Sequence, residues 1–364
     1  MSANHSHHFV PRCYLKNFSP LENGATINLF NIGRNQLIEN APIKSQCART
    51  FLYGKDELEK ILSEIEGKYA AWITRSILRD KPIVLDEIDH FIRFFLMLQF
   101  TRTEASAIRT RAHFMLLDKL GQIGIENELS EHYFDTSDKE MVRFSMRMTD
   151  DLVNCISDLS VCFIKNTSES MFVTCDDPVV SSNRLHIQRL DRGDFGFGTA
   201  GAILYLPLSP EVAVIAYDKD VYSCKKKSTA WAIISNCSDV DALNDLVFLK
   251  AKENIYFRSK SDFKHTDFER IKSRRIQDWG EGTIAIPVGE RDGGRIFKAV
   301  SENERPEVGG FLIHTSQRNP KPYRWPKVLS FKQSAHAYTN GSSAGYIRKR
   351  IVKTDGIDAV KIKV

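Results

Sequence analysis

Hydrophobic positions in the first half of the chain recur at three- and four-residue spacing, which is typical of amphipathic helices. This spacing predicts three helices, over residues 55–79, 86–116 and 138–159. The middle of the second segment is apolar nearly all round, which indicates a helix buried at the centre of the core.

The pattern changes in the second half, where short apolar runs rich in β-branched residues predict strands. One strand is expected at residues 171–175, and a hairpin at 203–217 with Pro207-Leu-Ser-Pro210 as its turn. These elements predict the α+β fold class, with a helical N-terminal half packed with a β-rich segment. We expect a core domain at 1–257, a charged linker or helix at 258–279, and a small basic β-rich domain at 280–364.

Charge separates the last part of the chain from the rest. The net charge is +5 overall. The segment from Ser259 to the end has 21 basic and 12 acidic residues, a balance of +9, so the remainder carries −4. The positive field therefore belongs to the C-terminal region, and an anionic partner is expected there.

Cysteine usage and hydropathy limit the classes of protein. The seven cysteines are an odd number and form no C-x-x-C pair, which argues against a disulfide framework and predicts a reducing compartment. No apolar stretch approaches the length of about 20 residues that a bilayer span needs. We therefore expect a cytoplasmic protein without a membrane partner. No H-E-x-x-H motif is present.

Four short motifs, in order, resemble a bacterial family known as domain of unknown function 4238. The N-terminal segment resembles its His-x-Val-Pro-x-x-Tyr-Leu-x-x-Phe pattern through His8, Val10, Pro11, Tyr14, Leu15 and Phe18. Gln99-Phe-Thr-Arg102, Thr174-Cys-Asp-Asp-Pro-Val179 and Pro207-Leu-Ser-Pro210 resemble further family motifs, and Glu66 stands where the family usually has a glutamate. Cys175 and Asp177 depart from the family's Ser and Asn. The resemblance covers residues 5–257 and implies a bacterial accessory protein without an established activity.

Helical projection places Glu66 on the same stripe as Leu62 and Tyr69, whereas Glu64 falls on the opposite face. A carboxylate that faces the core needs a partner. Arg102 continues the buried face of the second helix and is the expected partner. The pair is either a structural bridge that sets helix register or one wall of a charged pocket.

Asp176 follows a predicted strand, and a side chain at a strand end is well placed for a site. Asp176 is either a site residue or part of an ordinary turn. Of the two aspartates, Asp177 lies directly before proline and is favoured as the turn residue. His7 and His8 are adjacent on an extended segment and so point to opposite sides. The family pattern favours His8, as a metal ligand or general base. A hydrogen-bonded structural histidine is the alternative.

The acid-free stretch from Val308 to Thr354 interleaves basic and aromatic side chains, which suits phosphate contact and base stacking. A solvated basic face and an acidic protein partner are the alternatives. The residues expected to bind nucleic acid are Arg318, Lys321, Arg324, Trp325, Lys327, Arg348, Lys349 and Arg350.

Together these features predict a metal-assisted phosphodiesterase, a nuclease-like hydrolase in bacterial accessory or phage-defence roles. His8, Glu66 and Asp176 would hold a divalent metal such as Mg²⁺ or Mn²⁺, and Arg102 would meet phosphate, completing the catalytic set. The alternative is a non-catalytic nucleic-acid- or protein-binding module with a structural Glu66–Arg102 pair.

Overall fold

The computed structural model describes residues 6–53, 57–74, 85–122, 135–190, 195–228, 230–275, 282–291, 294–300, 312–315, 319–341, 345–354 and 356–364. The residues between these ranges lie outside the description, among them Arg318 and the end of the predicted helix 55–79. The described part contains both helices and sheets, which confirms the α+β class.

The N-terminal segment forms small elements that pack on the core. Strand β1 (Ser6–His8) pairs with β4 (Ala48–Thr50), and helix α1 (Arg12–Leu15) continues into a 3-10 turn. Strands β2 (Thr26–Asn31) and β3 (Gln36–Pro42) form an antiparallel hairpin.

The helical part differs from prediction at two points, because two expected helices are each divided. Within the described residues, the helices of this part are α2 (Glu57–Trp72), α3 (Leu85–Thr101), α4 (Glu104–Gln122), α5 (Asp138–Arg147) and α6 (Thr149–Cys155). The expected helix 86–116 breaks at Arg102 and Thr103, where the Thr103 hydroxyl accepts a hydrogen bond from the Ser106 amide at 3.2 Å. This is an N-terminal cap, and it starts a new helix.

A five-stranded sheet with the order β11-β5-β9-β8-β7 lies at the centre of the fold. Its strands are β5 (Ser160–Asn166), β7 (Val180–Asn183), β8 (Ala202–Pro207), β9 (Val212–Tyr217) and β11 (Trp231–Ile234). The hairpin β8–β9 is confirmed, and all residues of its two strands are buried. Alternate side chains of this hairpin belong to two separate hydrophobic clusters, so the sheet is covered on both faces.

A second sheet, β3-β2-β12-β6, joins the N-terminal hairpin to later parts of the chain. It contains β6 (Thr174–Cys175), which is shorter than the predicted strand 171–175, and β12 (Asn254–Phe257). Helices α7 (Cys237–Lys250) and α8 (His265–Lys272) flank β12 in sequence. Strand β10 (Tyr222–Cys224) comes after β9 and belongs to neither sheet.

The C-terminal part contributes three small β units, and one of them pairs with the core. Strands β13 (Gly282–Arg291), β14 (Gly294–Ala299) and β15 (Leu312–Thr315) form one sheet. Strand β16 (Leu329–Phe331) pairs with β10, whereas β17 (His336–Thr339) pairs with β18 (Val360–Lys363), and helix α9 (Lys349–Thr354) lies between these two in sequence. The predicted domain boundaries stay a prediction. Within the described ranges, no helix has the length and apolar character required to cross a membrane.

Candidate functional site

Glu66 and Arg102 meet as the helical projection predicts. Arg102 Nη1 donates to Glu66 Oε1 at 2.8 Å. The Arg102 side chain is 1% exposed and that of Glu66 is 23% exposed, whereas Glu64 faces solvent. The guanidinium is thus sealed in the protein, while the carboxylate lies at the edge of the buried region.

The remaining donors of Arg102 bind the N-terminal segment. Nη2 donates to the carbonyl of His8 at 2.7 Å, and Nε donates to the Tyr53 hydroxyl at 3.2 Å. Tyr53 in turn donates to the carbonyl of Arg102 at 3.2 Å. Arg102 therefore joins β1 to α2 through hydrogen bonds on every side, which is the arrangement that makes a buried cation tolerable.

The two histidines of β1 point to opposite sides, as expected for a strand. His7 is buried, accepts a hydrogen bond from the Tyr53 amide through Nδ1 at 3.1 Å, and stacks on the Tyr53 ring. The His8 imidazole is half-buried, and its Nδ1 lies 3.1 Å from the carbonyl of Gln46. Burial lowers the pKa of His8, which favours a neutral ring at pH 7.

Asp176 has partners of its own. Its carboxylate accepts hydrogen bonds from the backbone amides of Lys252, Glu253 and Asn254 at 2.8, 2.6 and 3.1 Å. Burial raises the pKa of Asp176 to about 6, although these hydrogen bonds favour the charged form. Asp176 thus holds the turn between α7 and β12, and its oxygens are engaged there.

Asp177, which the sequence favours as a turn residue, lies in the bend after β6, and its side chain also belongs to a buried ion-pair cluster. Its carboxylate contacts Arg109 Nη1 at 2.6 Å, Lys250 Nζ at 3.2 Å and the Thr103 hydroxyl at 2.9 Å. Burial alone would raise the pKa of Asp177, but Arg109 and Lys250 outweigh it and hold the pKa below its ordinary value. The physical reason is that two cations from different helices converge on this turn.

Three of the short motifs meet at one buried tyrosine. The Tyr14 hydroxyl lies 2.6 Å from the Thr174 hydroxyl and donates to the carbonyl of Pro207 at 2.7 Å. Tyr14, Thr174 and the hairpin turn each belong to a different motif. The shared pattern therefore describes contacts that hold the N-terminal segment against both sheets.

The predicted metal ligands have separate hydrogen-bond partners. Glu66 binds Arg102, His8 lies against Gln46, and Asp176 caps backbone amides. Across the ranges that the structure describes, no group of three or more His, Cys, Asp or Glu side chains could hold a metal ion. The catalytic and metal assignments of His8, Glu66, Arg102 and Asp176 stay predictions, and the observed contacts of these residues are structural.

Two of the basic residues assigned to nucleic acid form ion pairs with acids of the core, and their assignment stays a prediction. Arg348 is 2% exposed, pairs with Asp158, and donates to the carbonyls of Cys155 and Phe197, each at 2.6 Å. Arg324 donates to Asp245 and Asp267, each at 3.2 Å. Both arginines neutralise acids of the core and attach the C-terminal segment to it.

The other assigned residues remain at or near the surface. Lys321, Lys327 and Lys349 are exposed, and Arg350 is half-buried. Trp325 packs partly against the second hydrophobic cluster, with the Arg184 guanidinium 5.8 Å from the centre of its ring. The indole therefore has a structural contact already, and it is a weaker candidate for base stacking than the sequence indicates.

Sequence reasoning missed one basic surface, the outer face of the β17–β18 ribbon. Its register places Tyr338 opposite Lys361 and His336 opposite Lys363. Both lysines are exposed, whereas Ala337 and Ile362 on the other face pack on the core. The alternation in Val360-Lys-Ile-Lys363 was the available signal, because every second residue of a strand shares a face.

Residues 6–261 match the family described as Protein of unknown function (DUF4238). No curated protein and no solved structure shows significant similarity to the chain.

Proposed function

The chain belongs to the DUF4238 family, and from this premise we propose that it is a non-catalytic module that binds single-stranded nucleic acid through its basic C-terminal surface. In this proposal the polar contacts around Arg102 and Asp177 are structural. One observation carries the proposal: Lys361, Lys363, His336 and Tyr338 share the outer face of the β17–β18 ribbon.

The two lysines of this face have no carboxylate partner within the described ranges. Asp220 lies 3.7 Å from His336 at the edge of the ribbon. Lysines that are exposed and unpaired are available to phosphates, and releasing the counterions from the nucleic acid supplies the binding free energy.

An aromatic ring on the same face favours single strands over duplexes. The ring centres of His336 and Tyr338 are 6.1 Å apart, and both side chains are half-buried. Unpaired bases can stack on such rings, whereas the bases of a duplex are already stacked. Helix α9, which contacts β17, adds the exposed Lys349 and Lys353 nearby.

Fluorescence anisotropy with labelled single-stranded RNA and DNA of about 20 nucleotides, longer than the site of one small binding fold, tests the proposal. The comparison is between the wild-type protein and the double variant Lys361→Gln/Lys363→Gln, over a range of salt concentrations. Losing two phosphate contacts should weaken binding to every sequence and reduce the salt slope by about 1.4. The matched control, Lys60→Gln/Lys68→Gln, removes two exposed lysines of α2 and should leave binding unchanged.

Two results would count against the proposal. One is that the wild-type protein does not bind either oligonucleotide at low salt. The other is that polyglutamate competes as well as nucleic acid of equal charge, which would instead favour an acidic protein partner.

The phosphodiesterase hypothesis stays a prediction with a separate test. The labelled oligonucleotides are incubated with the protein, with and without Mg²⁺ or Mn²⁺. Metal-dependent cleavage that is lost in His8→Ala, without a change in melting temperature, would support an enzyme. If the oligonucleotides stay intact under all conditions, the phosphodiesterase hypothesis is rejected and only the binding proposal remains.

A further inference from the structure

Two cysteine thiols from different strands lie in direct contact beneath the pairing of β10 with β16. Cys162 on β5 and Cys224 on β10 have sulfur atoms 3.4 Å apart that share a hydrogen bond. Cys162 is fully buried, whereas Cys224 is partly accessible to solvent. All seven cysteines are in the thiol form in this structure.

We propose that Cys162 and Cys224 form a peroxide-sensitive thiol pair that closes to a disulfide. A disulfide has a sulfur–sulfur bond of about 2.05 Å, so the two atoms must approach by about 1.3 Å. Side-chain rotation of the more exposed cysteine can supply a movement of this size. The other five cysteines are in different parts of the fold, and within the described residues only this pair brings two sulfurs together.

The surroundings make Cys224 the cysteine that reacts first. Lys226 donates to the carbonyl of Val161 at 3.3 Å and so holds its positive charge beside the pair. The hydrogen bond between the two sulfurs lowers the pKa of Cys224, and the charge of Lys226 acts in the same direction. The same hydrogen bond raises the pKa of Cys162. A thiolate is the nucleophile in thiol chemistry, and Cys224 is also the one that peroxide can reach.

The reaction balances with hydrogen peroxide as the oxidant. The Cys224 thiolate attacks one peroxide oxygen, the O–O bond breaks, and a sulfenic acid and water form after proton uptake. The Cys162 sulfur then attacks the Cys224 sulfur, the S–O bond breaks, and a second water leaves with the Cys162 proton. Each thiol loses one hydrogen, and peroxide is reduced to two waters.

The disulfide would join β5 of the central sheet to β10, the strand on which β16 of the C-terminal segment pairs. β10 pairs with β16 in a register that places Cys224 opposite Leu329. The Lys225 amide extends this pairing with a hydrogen bond to the carbonyl of Val328 at 3.2 Å. A covalent link between β5 and β10 therefore restrains the attachment of β16 and of the C-terminal residues beyond it.

Peptide mapping of the full-length protein under non-reducing conditions tests the proposal. The folded protein is treated with hydrogen peroxide and then unfolded in a denaturant that contains iodoacetamide, which alkylates the remaining free thiols. It is then digested with a protease. We expect a peptide that joins Cys162 to Cys224, and alkylation of five of the seven cysteines, because two are in the disulfide. The link should disappear in Cys224→Ser and persist in the control Cys237→Ser, which removes a cysteine at the start of α7.

A thermal measurement shows whether the link forms in the native fold. Oxidised wild-type protein should melt about 5 °C higher than reduced protein, and Cys224→Ser should show no such rise. Three results would overturn the proposal: sulfinic acid at Cys224 without a link, links between other cysteines, or a link that forms only in denaturant.

Discussion

The Arg102 guanidinium donates to the Glu66 carboxylate at 2.8 Å and thereby joins α2 to the residue directly after α3. Arg102 is sealed from solvent, while Glu66 is not. The same guanidinium also binds the carbonyl of His8, so a single side chain fixes the position of the N-terminal strand.

Removing Glu66 should destabilise the protein strongly. Glu66→Ala leaves the buried Arg102 charge without its carboxylate, and breaking such a pair costs about 3–5 kcal/mol. Urea denaturation gives the difference in free energy of unfolding. Glu64→Ala, on the opposite face of α2, should change it by less than about 0.5 kcal/mol. Equal stability of the two variants would show that the pair is not structural.

Arg348 and Lys349 are neighbours in sequence, but we expect only the substitution of Arg348 to lower the stability of the protein. Arg348→Ala removes the partner of Asp158 and two hydrogen bonds to backbone carbonyls, so a loss of about 3–5 kcal/mol is expected. Lys349→Ala changes an exposed side chain and should leave the melting temperature unchanged. Thermal unfolding followed by circular dichroism compares them. A fully stable Arg348→Ala would favour this residue as a candidate for nucleic acid.

The Tyr14 hydroxyl should contribute measurably to stability. Tyr14→Phe keeps the ring but leaves the Thr174 hydroxyl and the carbonyl of Pro207 without this partner, at a cost of about 1–3 kcal/mol. Tyr338→Phe is the control, since its hydroxyl lies on the outer face of the ribbon. Denaturant titration of both variants measures the difference, and a neutral Tyr14→Phe would contradict the role assigned to the motif.

The buried Asp176 carboxylate should make stability depend on pH. Its pKa rises from 3.8 to about 6 on folding, so the folded state binds the proton more tightly. The resulting stabilisation, about 3 kcal/mol, is fully present below pH 4 and is lost as pH rises through 6. Asp176→Asn removes this titration, so the stability of the wild type relative to the variant should fall by most of that amount between pH 4 and 7. Urea denaturation at both values measures it, and a constant difference would refute the assignment.

The contacts that could be predicted from sequence were those set by local periodicity. The stripe on α2 identified Glu66 as inward-facing, and the alternation in β1 separated His7 from His8. The hairpin β8–β9 was predicted from two apolar runs around a proline-containing turn. In each case a single element was enough to determine which way the side chain points.

The features that escaped prediction depend on partners distant in sequence. Asp177 reads locally as a turn residue because its ion partners, Arg109 and Lys250, come from two separate helices. Arg324 and Arg348 read as surface cations because the acids that they neutralise lie more than 50 residues away. The division between α3 and α4 had a local signal, the capping hydroxyl of Thr103, but no glycine or proline to mark it.

The attachment of the C-terminal segment has a consequence for any shortened version of this protein. A fragment that stopped at residue 261 would retain Asp158, Asp239 and Asp245 but lose Arg348, the amide of Lys327 and Arg324, which now satisfy them. The three carboxylates would lack these partners, and β10 would have an open edge. A natural relative without such an extension would need neutral side chains at these three positions, or cations supplied from elsewhere.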